Sequence, residues 1–235
     1  RDPWGRLHRT ADFVAATTYG TSAEALRAVD RVRRVHEPVR GFASDGRPYS
    51  ADDPELVAFV HATEVDSFLA AYRRYGPGLS AADADRYVEE MGVVARALGA
   101  DPVPRDVAEL DALLAEVELR ATPETRDAVR FLMFPPLPWS VRPTYALIGA
   151  AAVELLPLRA QLELRLVVPP LAGPLMVRPP LRAMLATLRW TVGESPTLAT
   201  ARRRVDRESL GAAERGPGAT VRRLPEEAPR SASSR

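Results

Sequence analysis

The sequence predicts an all-α protein, a single multi-helix globular domain, and three observations carry that prediction. Helix start signals recur along the chain, each followed by apolar residues at three- and four-residue spacing and then by a stop. Leu, Ala and Val dominate while aromatic residues make up only 6%, a balance that favours helices over sheets. No segment alternates apolar and polar residues between turn signals, as a half-buried strand would.

The elements follow in order. Asp2-Pro3 offers an N-cap and a proline at the first helical position, and the helix runs through Phe13 and Val14 toward Gly20. Thr21-Ser22-Ala23-Glu24 spells a capping box, in which hydroxyl and carboxylate each satisfy an orphan amide, and the helix continues to His36. A loop holding Gly41, Gly46 and Pro48 comes next. Asp52, Asp53 and Pro54 open a helix of about 20 residues that stops at Gly76, and Ser80 opens another that closes near Gly99. Further helices are predicted from Asp106 to Arg120, Thr122 to Met133, Pro143 to Leu156 and Pro180 to Val192. The proline-rich stretch between the last two holds a short helical piece over Ala160 to Leu166 and is expected to wrap the surface. From Leu210 onward Gly, Pro, Ser, Arg and Glu replace the apolar periodicity, so the domain is expected over residues 1–209 and a disordered tail over 210–235.

Composition excludes several chemistries. The 235 residues carry 32 basic and 31 acidic side chains, a net charge of +1, which removes a global electrostatic argument for nucleic acid or an anionic membrane. With no cysteine there is no disulfide, thiolate-ligated metal or cysteine nucleophile. Every basic residue is Arg, so a P-loop lysine and a Schiff-base lysine are excluded as well. No Gly-x-Ser-x-Gly elbow, His-Glu-x-x-His motif or Gly-rich nucleotide loop is found. No apolar run is long enough for a transmembrane span, and no targeting signal is read, so a cytoplasmic location is expected.

Histidine is scarce: His8, His36 and His61. At helical spacing His36 shares a face with Ala25, Val29 and Val32, and His61 one with Val57, Val65, Phe68 and Tyr72, so both rings are expected to point inward. A buried imidazole needs partners for both nitrogens. A core histidine bonded to a carbonyl or hydroxyl would meet that need. So would an axial ligand of haem iron, or a facial triad of His36, His61 and Glu64 on a bare metal. In the first helix Arg6 and Thr10 lie four apart, with Arg9 adjacent and Phe13 beneath. These are either solvated residues of an amphipathic helix or groups that bind haem propionates and hydrogen-bond iron-bound oxygen.

The run Arg1-Asp2-Pro3-Trp4-Gly5-Arg6-Leu7-His8-Arg9-Thr10, with Tyr19-Gly20-Thr21 and Val32-Arg33-Arg34-Val35-His36-Glu37-Pro38-Val39-Arg40-Gly41, resembles the oxygenase family of fungal MpaB and bacterial rubber oxygenase (latex clearing protein). Tyr49 to Leu56, Phe59 to Thr63 and Leu155 to Arg159 fit the same pattern, and the resemblance extends over about residues 1 to 195. It implies an all-helical protein with a non-covalent haem b pocket between helices, using dioxygen to cleave double bonds of isoprenoid chains. By position it makes His36 the proximal iron ligand and Arg6 and Thr10 the Arg-x-x-x-Thr pair beside the haem. His61 falls in a motif of the same subgroup and is taken as a pocket residue. Arg9 stands where rubber oxygenase has a lysine able to occupy the sixth iron position, and a guanidinium, always protonated, cannot do so. The family's catalytic glutamate is expected ahead of residue 1.

Together these observations predict a haem b-dependent oxygenase acting with dioxygen on a hydrophobic, unsaturated substrate. Arg6 and Thr10 would be catalytic, His36 would bind the metal, and Arg6, Arg9, Thr10 and His61 would line the cofactor site. Phe13, Phe59, Phe68 and Tyr72 are candidates for an apolar channel or for ordinary core. Two other readings are a non-catalytic haem-binding or haem-sensing module, and a metal-free helical ligand or interaction domain in which both histidines are satisfied core residues.

Overall fold

A computed structural model describes residues 3–43, 46–193 and 195–214, with side chains for 5, 7–43, 46–193 and 195–207. The chain divides into two units, Arg1–Gly193 and Glu194–Arg235. In the first, α1 (Pro3–Tyr19) and α2 (Ser22–His36) pack as a hairpin. The predicted capping box forms: the Thr21 amide donates to Glu24 Oε2 at 2.7 Å, and the Glu24 amide to Thr21 Oγ1 at 3.2 Å.

The following loop contains a two-stranded antiparallel hairpin, β1 (Arg40–Phe42) and β2 (Pro48–Ser50), with Gly41 opposite Tyr49. Strands of three residues are too short to show a period-2 pattern. The hairpin is tied to the next helix through Arg40, whose Nη1 donates to Ser50 Oγ at 2.8 Å and whose Nη2 pairs with Asp52 at 3.4 Å.

α3 (Pro54–Tyr75) is the central element and packs against α4 (Ala81–Leu98), α5 (Val107–Glu116) and α7 (Arg142–Leu155). Asp53 caps it by accepting from the Glu55 and Leu56 amides at 3.0 and 3.1 Å. Its buried stripe is Ala58, His61, Ala62, Val65 and Leu69. The face expected from spacing is therefore rotated: Val65 is buried as predicted, whereas Phe68 and Tyr72 are exposed. The small residues Ala58 and Ala62 let α4 approach closely enough to bury Ala84, Val88 and Ala95, and α5 adds the fully buried Leu110. Gly99, in the left-handed conformation, ends α4 as a glycine there should.

α5 stops four residues before the predicted Arg120. The Arg159 guanidinium reaches the carbonyls of Leu114 and Ala115, satisfying groups that another helical turn would have used. α6 (Pro123–Met133) agrees with prediction, and α8 (Leu158–Leu164) begins two residues early. The proline-rich stretch is more ordered than expected: Gly173–Val177 forms a π-helical turn running directly into α9 (Arg178–Val192). α7, this turn and α9 share a core of Ala151, Val177 and Leu181. No helix among the described residues is long and apolar enough to cross a membrane.

In the second unit, α10 spans Pro196–Glu214. Helix thus persists five residues into the predicted tail, whose remainder, 215–235, lies outside the described residues. The all-α prediction stands, with one small β-hairpin added.

Candidate functional site

The α1–α2 hairpin determines which predicted residues can meet. Its turn lies at Gly20 and Thr21. His36 comes 15 residues after Thr21 and Arg6 comes 14 before Gly20, so at about 1.5 Å per residue both stand about 22 Å from the turn, at the open end of the hairpin. Thr10 lies one helical turn closer to the bend, with Arg9 beside it. The hairpin therefore brings the Arg-x-x-x-Thr segment to the level of His36, although 26 residues separate Thr10 from it in sequence. The side chain of Arg6 lies outside the described residues; Arg9 and Thr10 are exposed.

His36 is the last residue of α2, which Pro38 prevents from continuing. Its ring is half-buried on the predicted face, above Val32, the buried Val29 and Ala25. The His36 carbonyl accepts from the Val39 amide at 2.8 Å, but no hydrogen-bond partner of the ring is found among the described residues. Leu7, Val35 and Val39, at the same end of the hairpin, are exposed. An available nitrogen donor, uncovered apolar side chains and a basic helix segment together fit a flat apolar group that carries carboxylates.

His61 lies elsewhere, in the core between α3 and α4. It is 6% exposed, and its Nε2 is 3.1 Å from the Met91 carbonyl oxygen. A carbonyl only accepts, so Nε2 carries the proton. Burial lowers the ring's pKa, and the bond to Met91 offsets this only in part, so the imidazole is neutral. This is the satisfied arrangement that a core histidine adopts.

Glu64, one turn beyond His61, is half-buried, and desolvation raises its pKa. Tyr87 of α4 is raised too, first by burial and then by the charges of Glu64 and Tyr19. A carboxyl and two phenols from three helices thus share one half-buried region. Tyr87 was not legible as part of it: it sits beside Ala84, Val88 and Met91 at core spacing, and only the packing of α3 on α4 sets it near Glu64. The bare-metal triad of His36, His61 and Glu64 is not formed, and among the described residues no three His, Asp or Glu side chains gather as a metal site.

A cleft of about 510 Å³ lies between the end of α5 and α8, lined by Glu116, Glu118, Arg159 and Glu163 with apolar neighbours. None of Arg6, Arg9, Thr10, His36 or His61 belongs to it. Phe13 and Phe59 are half-buried, while Phe68 and Tyr72 open to the surface.

Comparison with known families matches residues 1–190 to the one described as "ER-bound oxygenase mpaB/B'/Rubber oxygenase, catalytic domain". No curated protein and no solved structure matches the chain.

Proposed function

Because the chain belongs to the mpaB/rubber oxygenase catalytic-domain family, a family of oxygenases, we propose that it is a haem b-dependent oxygenase acting with dioxygen on a hydrophobic, unsaturated, isoprenoid-like substrate. The observation that carries this reading is the His36 ring, half-buried and without a polar partner, at the end of the hairpin that also holds Arg6, Arg9 and Thr10.

His36 is the residue that would hold iron, through the lone pair of one ring nitrogen. When bound, haem supplies the binding and activation of dioxygen. The rest falls to the chain's own side chains. Arg6 and Arg9 bring permanent positive charge to one helix segment, suited to carboxylates and to negative charge that develops during oxygen chemistry. Arg9 keeps its protons and so leaves the iron's far side open. The Thr10 hydroxyl can donate a hydrogen bond beside them. Leu7, Val35 and Val39 supply the apolar contact that excludes water and favours an alkene over a polar substrate. His61, already engaged with Met91, would support the pocket wall from the core.

The test is the visible spectrum and iron content of protein expressed with a haem precursor. Wild type is expected to carry about one haem per chain, His36→Ala to lose it with the helical signal intact, and His61→Gln to retain it. A colourless wild type, or unchanged haem in His36→Ala, would overturn the assignment. Oxygen consumption with alkenes by the haem-loaded protein separates an enzyme from a binding module.

A further inference from the structure

Charge is balanced over the whole chain but not along it. Between Asp127 and Glu194 there are seven arginines and only two carboxylates, Glu154 and Glu163. Neither carboxylate offers an unengaged negative charge on the surface: Glu154 is buried against Arg178, and Glu163 Oε2 accepts the Ala121 amide at 3.2 Å. The same region holds two of the chain's three tryptophans, Trp139 and Trp190, at 83% and 85% exposure.

Packing brings the two indoles to one end of a layer. α7 and α9 share a core, and Glu154, near the end of α7, meets Arg178, the first residue of α9, so the helices run antiparallel. Twelve residues before Glu154 stands Arg142, just after Trp139, and twelve beyond Arg178 stands Trp190, about 18 Å along in each case. Trp190 is nine residues from the buried Leu181, about 180° around the helix, and so points directly away from the core. On its flank runs the row Arg178, Arg182 and Arg189. At the opposite end of α9, Leu175 and Met176 are also exposed. Leaving so much indole and aliphatic surface in water is costly, and patches of this kind mark interaction sites.

We propose that this α7–α9 face is a docking surface for a lipid bilayer bearing anionic headgroups. Indole rings, with apolar bodies and a single N–H, partition to the depth of the headgroups. Arginines beside them meet the phosphates, and a surface without free carboxylates meets no repulsion there. α9 lies in the plane of the interface rather than across it, as its length and its arginine row require. A domain that takes an oily substrate gains from this placement, but the argument rests on residues of α7, α9 and their flanks and does not depend on haem at His36.

The test is co-sedimentation of the full chain with phosphatidylcholine vesicles, with and without about 30% phosphatidylglycerol, together with tryptophan emission in a Trp4→Phe background. Binding to the anionic vesicles is expected, weaker on neutral ones, with a blue shift of emission and loss of binding between about 0.1 and 0.5 M NaCl. The exposed double variant Trp139→Ser/Trp190→Ser should fold normally by circular dichroism and bind at least about tenfold more weakly. Absence from the anionic pellet, or unchanged binding by the double variant, would overturn the proposal. So would a dimer in lipid-free solution that protects both indoles from acrylamide, which would assign the face to a second copy.

Discussion

Glu154 of α7 and Arg178 of α9 form the charge pair that fixes these helices against each other: Arg178 Nε donates to Glu154 Oε1 at 2.6 Å. Arg74, from the end of α3, adds its Nη1 to the same oxygen at 3.6 Å. The carboxylate is 9% exposed, and neither its Oε2 nor the nearby buried Tyr75 hydroxyl has a partner. Burial, and then the Glu154 charge, raise the Tyr75 pKa. Glu154→Gln leaves two arginines without their counter-charge, and breaking one side of a buried pair costs about 3–5 kcal/mol. A large drop in the urea midpoint is expected; an unchanged midpoint would mean that the pair is dispensable.

Gly173 is where the π-helical turn passes this carboxylate. A Cβ there would lie 2.5 Å from Glu154 Cδ and Oε1. Gly173→Ala should destabilise by about 1–3 kcal/mol through overpacking. In a Glu154→Ala background the obstruction is gone, so the two changes together should cost less than their sum. Strict additivity in a double-mutant cycle would show that the contact is not the cause.

His61 makes stability depend on pH. The unfolded chain takes up a proton near the ordinary histidine value of 6.5, while the buried ring, with its pKa lowered, resists it. Stability should therefore fall as the pH drops below about 6.5. Glu64 and Asp66 act in the opposite sense: burial raises both, so the folded state holds their protons to higher pH than the unfolded chain does and is favoured as the pH falls. His61→Gln keeps an amide able to donate to Met91 without titrating. Its Tm should fall less than that of wild type between pH 6.5 and about 5, because the carboxyl contribution is common to both. Parallel curves would place the titration elsewhere.

The Thr21–Glu24 box starts the helix that carries His36. Thr21→Ala removes the hydroxyl that accepts the Glu24 amide and should cost about 1 kcal/mol. Hydrogen exchange would then be faster in the first turn of α2 than at Val29. Equal protection of that turn in wild type and variant would show the cap to be redundant.

Local chemistry made much of this protein readable in advance. Asp53-Pro54, Ser80 and Thr122-Pro123 started helices at or next to the predicted positions because a cap and the amides it satisfies lie within one turn. The His36 face with Val29 and Val32 was likewise a matter of spacing alone. Where partners came from afar, spacing misled. The α3 stripe turned away from Phe68 and Tyr72 because Ala58 and Ala62 admit α4, and α5 ended early because Arg159, 45 residues from Leu114, takes its last carbonyls.

The sequence by itself determined an all-helical, cysteine-free chain with its donor nitrogens limited to three histidines, because capping, periodicity and composition act over a few residues. Only the tertiary structure decided which histidine is engaged and which is available. His61 found the Met91 carbonyl 30 residues away, while His36, at the open end of a hairpin, found no polar partner among the described residues. Hydrogen-bond satisfaction in a core depends on what other helices bring within about 3 Å, and no periodicity within one helix contains that information.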